Sequence, residues 1–126
     1  MRVFKYKWFH RWAKDEQVSD AVLMAAAREI VEGVVDADLG GYLYKKRIAR
    51  QGSGKSSGYR AIVGYKRPDD NRVVFLYAFP KNSRANISTK EKAALQLAAK
   101  GFVHATEKQL EELIANNEYR EIKADE

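Results

Sequence analysis

The chain has 126 residues, 45% hydrophobic and 11% aromatic, with 23 Lys and Arg against 17 Asp and Glu for a net charge of +6. That size and apolar content predict one globular domain over residues 1–126, with room for a real core. No apolar run approaches the about 20 residues that cross a bilayer, the basic start MRVFKYKWFHRWAK lacks the apolar core of a signal peptide, and the absence of cysteine excludes disulfides and thiolate chemistry and suits a reducing compartment, the cytoplasm.

Residues Arg2–Lys7 alternate in period 2, a short first strand. Trp8, Phe9 and Trp12 then fall at helical spacing, a short helix ending near Lys14. Ser19 caps the next helix, with Asp20 favourable at its positive end. Its inward stripe is Val22, Ala26, Ile30 and Val34, with Leu23 and Ala27 beside them, and it stops near Gly33. Gly40-Gly41 precedes a strand from Tyr42 to Gln51. Gly52–Gly58 is a flexible Gly/Ser connection, Tyr59–Lys66 the return strand, and Arg67–Asn71 a turn by its Pro and Asp/Asn content. Val73–Phe79 is apolar on both faces, as a central strand covered on both sides would be. Pro80 ends it. Ser88 with Glu91 is a capping box for a helix that turns Ala93, Ala94, Leu97 and Ala98 inward and stops at Gly101. Thr106 with Gln109 opens the last helix, carrying Leu110, Leu113 and Ile114. Residues 116–126 are expected as a frayed charged tail that Tyr119 and Ile122 could anchor. The order β-α-α-β-β-β-α-α predicts a small α+β domain on an antiparallel sheet.

Charge is unevenly placed. Leu39–Pro68 contains no Asp or Glu but eight cations: Lys45, Lys46, Arg47, Arg50, Lys55, Arg60, Lys66 and Arg67. Lysines on a sheet edge can simply suppress aggregation. Eight unpaired like charges converging on one hairpin cost stability through repulsion, and they point instead to a polyanion, most simply nucleic acid. GSGKSSG resembles a phosphate-cradling Walker A loop, but that motif needs glycine five residues before Gly54, where Ala49 stands, and it opens a helix rather than a strand. Tyr65 and Tyr77 read as packing, whereas Tyr59 beside Arg60 is placed to stack on a base. His10 and His104 lie outside the basic stretch, which has no paired carboxylates and no metal-ligand spacing. Chemistry here falls to Lys, Arg and Tyr, which suits charge on a transferring phosphoryl group and cleavage of RNA by its own 2′-hydroxyl.

Three segments carry a resemblance: DADLGGYLYKKRIARQGSGKSSGYRAIVGY at Asp36–Tyr65, FLYAFPKNSRANIS at Phe75–Ser88, and the helix containing Glu91. With them the chain, from Trp8/Trp12 through Leu97, resembles the RelE/HigB-type toxins of bacterial type II toxin–antitoxin systems, in the branch with extra C-terminal helices. The resemblance implies a small antiparallel sheet with helices packed on one face and, on the other, a basic cleft that cuts mRNA in the A site of the small ribosomal subunit. It implies no metal and no cofactor. The catalytic set would be Arg60, Lys55, Lys81, Arg84 and Lys46, with Lys45, Arg47, Arg50, Tyr59 and Asn82 contacting RNA; Ser88 falls where members often place Tyr or His. The partner would be a cognate antitoxin of helix-turn-helix type. The same fold serves ParE-type poisons of DNA gyrase. The basic hairpin together with Lys81 and Arg84 favours the RNase, and a non-catalytic nucleic-acid-binding module is the further alternative.

Overall fold

The computed structural model describes residues 1–49, 58–66 and 72–123. Its elements are β1 (Arg2–Tyr6), α1 (Lys7–Asp15), α2 (Asp20–Val31), β2 (Ala37–Gly40), β3 (Leu43–Ile48), β4 (Tyr59–Tyr65), β5 (Arg72–Pro80), α3 (Thr89–Val103), α4 (Glu107–Ala115) and β6 (Tyr119–Ile122). The strands form one sheet in the order β2-β3-β4-β5-β1-β6. Every neighbouring pair is antiparallel except β1 with β5, which is parallel. The α+β class and the β3–β4–β5 meander are as the sequence predicts.

Alternation along the strands sorts the core into two layers. Val3, Tyr44, Ile48, Ala61, Val63, Val73 and Phe75 face α1 and α2, packing on Phe9, Ala13, Leu23, Ala27 and Ile30. Phe4, Leu43, Ile62, Val74, Leu76 and Phe79 face the other way, onto Ala99, Phe102 and Val103 of α3 and Leu110 of α4. Helices therefore cover both faces of the sheet, not one. The physical reason lies in β4, where all seven residues are buried. A strand apolar on both parities must be covered twice.

The face that α3 presents also differs from expectation. Leu97 is 74% exposed, while Ala99, Phe102 and Val103 are buried and the helix runs through Gly101 to Val103. Close approach decides this rotation. A Cβ on Gly64 would meet Val74 Cγ1 at 2.9 Å and the Ala99 Cβ at 3.1 Å, so α3 lies on the backbone of β4 at that point. Phe102 stacks edge-on to Phe4 at 5.2 Å. One leucine among alanines cannot outweigh these contacts. In α2 the stripe ends at Ile30; Gly33 takes φ 94° and Val34 is 53% exposed.

Two strands were not expected. β2 pairs with β3 through a turn in which Gly40, Gly41 and Tyr42 all have positive φ. Residues 119–122, expected to fray, form β6 against β1, with Tyr119 and Ile122 buried as anchors. Arg2 fastens this edge, donating from Nε and Nη2 to the Glu121 carboxylate at 3.0 and 2.9 Å. Arg72 donates to the carbonyls of Ala105 and Phe102 at 2.7 and 3.4 Å, satisfying acceptors at the end of α3. Among the described residues no helix is long and apolar enough to cross a membrane.

Candidate nucleic-acid interface

The period of β3 divides its cations. Lys45 projects to the α3 side, where its Nζ donates to Asn86 Oδ1 at 2.7 Å. There it lines a hollow of about 230 Å³ with Leu39, Ile62, Ile87, Thr89 and Lys92. Arg47, two residues on, is exposed. Lys46 takes the opposite face. It is 5% exposed, and its Nζ donates to the Val34 carbonyl at 3.0 Å and pairs with Glu29 at 3.0 Å. Buried under α2, it does not join Lys45 and Arg47.

The same alternation separates Tyr59 from Arg60. Tyr59 is 2% exposed; its hydroxyl donates to Glu16 at 2.6 Å and its ring meets Trp12 edge-on at 4.8 Å. It is a core residue between β4 and α1, closed to stacking on a base. Arg60 stands directly opposite Arg47 in β3 and Phe79 in β5. It is 8% exposed, with Nε 3.7 Å from Asp36 Oδ2. Its Nη1 is buried with no hydrogen-bond partner among the described residues. A buried guanidinium donor left unmade is costly unless an anion completes it.

The loop after β5 brings further cations to this row. The Lys81 amide donates to the Gly58 carbonyl at 3.0 Å, fastening the loop to the start of β4. Gly58 has no room for a side chain, since a Cβ there would lie 2.9 Å from the Ile48 carbonyl oxygen. Lys81 and Asn82 are exposed. Arg84 folds back with its guanidinium 5.0 Å from the centre of the Phe79 ring and 5.6 Å from that of Tyr77. Arg47, Arg60 and Phe79 thus form a row across three strands, and Arg84 lies over its end.

Arg84 is firmly held. It donates to both oxygens of Glu91 at 2.7 and 2.9 Å and to the Tyr77 hydroxyl at 2.7 Å. Glu91 also accepts from the Ser88 amide at 2.8 Å as part of the capping box that opens α3. The hydrogen bonds from Arg84, then from Ser88, hold the Glu91 carboxyl at about 2. Its carboxylate in turn raises the Arg84 guanidinium above its ordinary value.

The chain matches the family model described as the RelE toxin of the RelE/RelB toxin–antitoxin system over residues 1–122. It belongs to the RelE toxin family. No curated protein matches the chain. Membership makes it the toxin of a toxin–antitoxin pair, with a cognate antitoxin as its partner.

Of the positions expected to form the site of this RelE-family toxin, the structure gathers Arg47, Arg60, Lys81, Asn82 and Arg84 at one end of the sheet, with Lys45 beside them. Lys46 and Tyr59 point into the layer under α1 and α2. Arg50 and Lys55 lie outside the described residues. Four neighbours escaped sequence reasoning: Asp36 at Arg60, Asn86 at Lys45, and Tyr77 and Glu91 at Arg84. For Glu91 the capping-box spacing was legible, but its second bond, to a residue seven positions earlier across a loop, leaves no periodic trace. Among the described residues no group of three His, Asp or Glu side chains could hold a metal ion.

Proposed function

We propose that this RelE-family chain is a ribosome-dependent mRNA endonuclease that stops translation in the cytoplasm, restrained by a helix-turn-helix antitoxin. The observation that carries this reading is the arginine row: Arg47 and Arg60 face one another across β3 and β4, and the buried Nη1 of Arg60 lacks a partner among the described residues. A phosphodiester oxygen supplies the missing acceptor and the charge.

In this reading the scissile phosphate sits on Arg60, with Arg84 reaching it from the loop. The 2′-oxygen of the preceding ribose attacks phosphorus, the P–O5′ bond breaks, and the products are a 2′,3′-cyclic phosphate and a 5′-hydroxyl. Guanidinium groups neutralise the charge gathering on the phosphoryl oxygens. The proton lost by the 2′-hydroxyl and gained by the leaving oxygen needs a nearby carrier, and the Tyr77 hydroxyl, 2.7 Å from Arg84 Nη2, is the described group best placed for it. Lys45, Arg47, Lys81 and Asn82 hold the strand on either side. The ribosome supplies what this small surface lacks, an mRNA already stretched into an attack geometry.

The deciding experiment incubates purified protein with a programmed ribosome and maps the mRNA ends. Codon-positioned cuts with 5′-hydroxyl ends are expected, and they should vanish in the Arg60→Ala/Arg84→Ala protein while its circular dichroism stays native. Intact mRNA accompanied by broken DNA in expressing cells would move the chain to the gyrase-poison activity instead.

A further inference from the structure

We propose that Trp8 and Trp12 form a stacking platform for an unpaired nucleobase of the bound RNA, a site beside the phosphate row; this rests on the RNA reading above. Trp8, Arg11, Trp12 and Asp15 fall at i, i+3, i+4 and i+7, one stripe of α1. Together they line a hollow of about 260 Å³. The two indoles are inclined by only 10°, with centres 6.5 Å apart, near the outer limit for rings in direct contact.

Both rings are held from below. Trp8 rests on Tyr77 at 4.6 Å; Trp12 packs on Phe9 at 5.2 Å and Tyr59 at 4.8 Å. Each is only half buried, so a flat, immobilised aromatic surface faces outward. Such a surface binds a base at small entropic cost and with little regard to sequence, because every base has a π face.

Position selects RNA over a protein segment as the occupant. Tyr77 touches Trp8 with its ring and receives a hydrogen bond from Arg84 with its hydroxyl, so the platform is one ring away from the phosphate row. Arg11, exposed in the hollow beside Asp15, adds a cation at its rim. A strand whose phosphates lie along Arg60 and Arg84 carries bases at that distance on its flanks.

The two tryptophans are the only ones in the chain, so tryptophan emission, excited selectively beyond the tyrosine band, reports on this site. The wild-type protein is titrated at low salt with a short 2′-O-methyl RNA strand, which it cannot cleave, and with an abasic strand of the same length. Anisotropy of a terminal dye, read in parallel samples, measures total binding. The base-bearing strand should quench tryptophan emission over the range in which anisotropy rises, while the abasic strand raises anisotropy without that quench. Trp8→Leu and Trp12→Leu should each weaken binding of the base-bearing strand about tenfold. The wild-type quench decides the matter even where a variant loses its fold. Binding without quenching, or equal quenching by the abasic strand, overturns the platform. If mRNA is cut on the ribosome but emission never changes, the platform fails while the nuclease reading stands; if there is neither binding nor cutting, both fail.

Discussion

Arg84 and Glu91 share two hydrogen bonds of 2.7 and 2.9 Å, and the same carboxylate accepts the Ser88 amide at 2.8 Å to begin α3. One side chain therefore starts a helix and occupies the guanidinium that the nuclease reading assigns to RNA. A phosphate reaching Arg84 must compete with Glu91. Replacing Glu91 by Gln keeps an acceptor for Ser88 and removes the competing charge. The expected outcome is a several-fold gain in affinity for single-stranded RNA, largest at low salt. A loss of affinity in the same isotherm would show that Glu91 instead serves to orient Arg84.

The acid behaviour of this pair follows from the depressed value of Glu91, about 2 against an ordinary 4.5. The folded chain holds the carboxylate ionised where the unfolded chain would protonate it. The pair's contribution to stability is thus complete above about pH 4.5 and is lost as pH falls toward 2. Carboxyl titration followed by NMR should place Glu91 well below the ordinary glutamate value of 4.5, and Arg84→Ala should return it toward that value. An unchanged titration in that variant would mean that Ser88 alone depresses it.

Tyr77→Phe separates binding from proton movement. The phenylalanine keeps the ring under Trp8 and Arg84 and deletes only the hydroxyl that receives the Arg84 bond. On programmed ribosomes the single-turnover cleavage rate should fall about 10²-fold or more, while affinity for mRNA stays within a factor of a few. Equal losses in rate and affinity would reduce Tyr77 to a support for Arg84.

Lys46 belongs to stability. Its amine is buried against the Val34 carbonyl and Glu29, at 3.0 Å from each. Lys46→Met should lower unfolding free energy by about 1 kcal/mol, because the part-buried hydrogen bond to the Val34 carbonyl is lost. Cleavage per folded molecule should be unchanged. A folded variant that no longer cuts would return Lys46 to the catalytic group.

Gly64→Ala tests the seat of α3. The added methyl would lie 2.9 Å from Val74 Cγ1 and 3.1 Å from the Ala99 Cβ. Overpacking of this kind costs about 1–3 kcal/mol, readable as a lower Cm in urea. A Cm equal to that of the wild type would show that α3 has room to shift.

The meander β3–β4–β5 was legible because alternation is a strong local signal, and both capping boxes appear at Ser88 and Thr106 as their spacing predicts. The same alternation could have sorted the site. Lys46 and Tyr59 stand one residue from Arg47 and Arg60, and one residue reverses the face. Grouping all the cations of a segment by charge alone obscured that parity. The rotation of α3 was illegible for another reason: alanines weigh little in a helical pattern, so Gly64 and Phe4, far off in sequence, decide which side turns inward. β6 was hidden by its composition, Tyr-Arg-Glu-Ile, whose two charged residues look like tail until Arg2 is found hydrogen-bonded to Glu121.

The N-terminal strand lies inside the sheet, between β5 and β6, and its Arg2 bonds to Glu121, 119 positions away. During synthesis β1 is made first but can complete neither edge until residues beyond 72 and then 119 have emerged. Contacts this distant in sequence are slow to form because chain closure must precede any gain from pairing. For a protein whose activity would be harmful to the cell making it, that ordering has a use. The arginine row on β3 and β4 is not set in a finished sheet until residues 119–122 have been made and have paired with β1, so the growing chain lacks the completed surface.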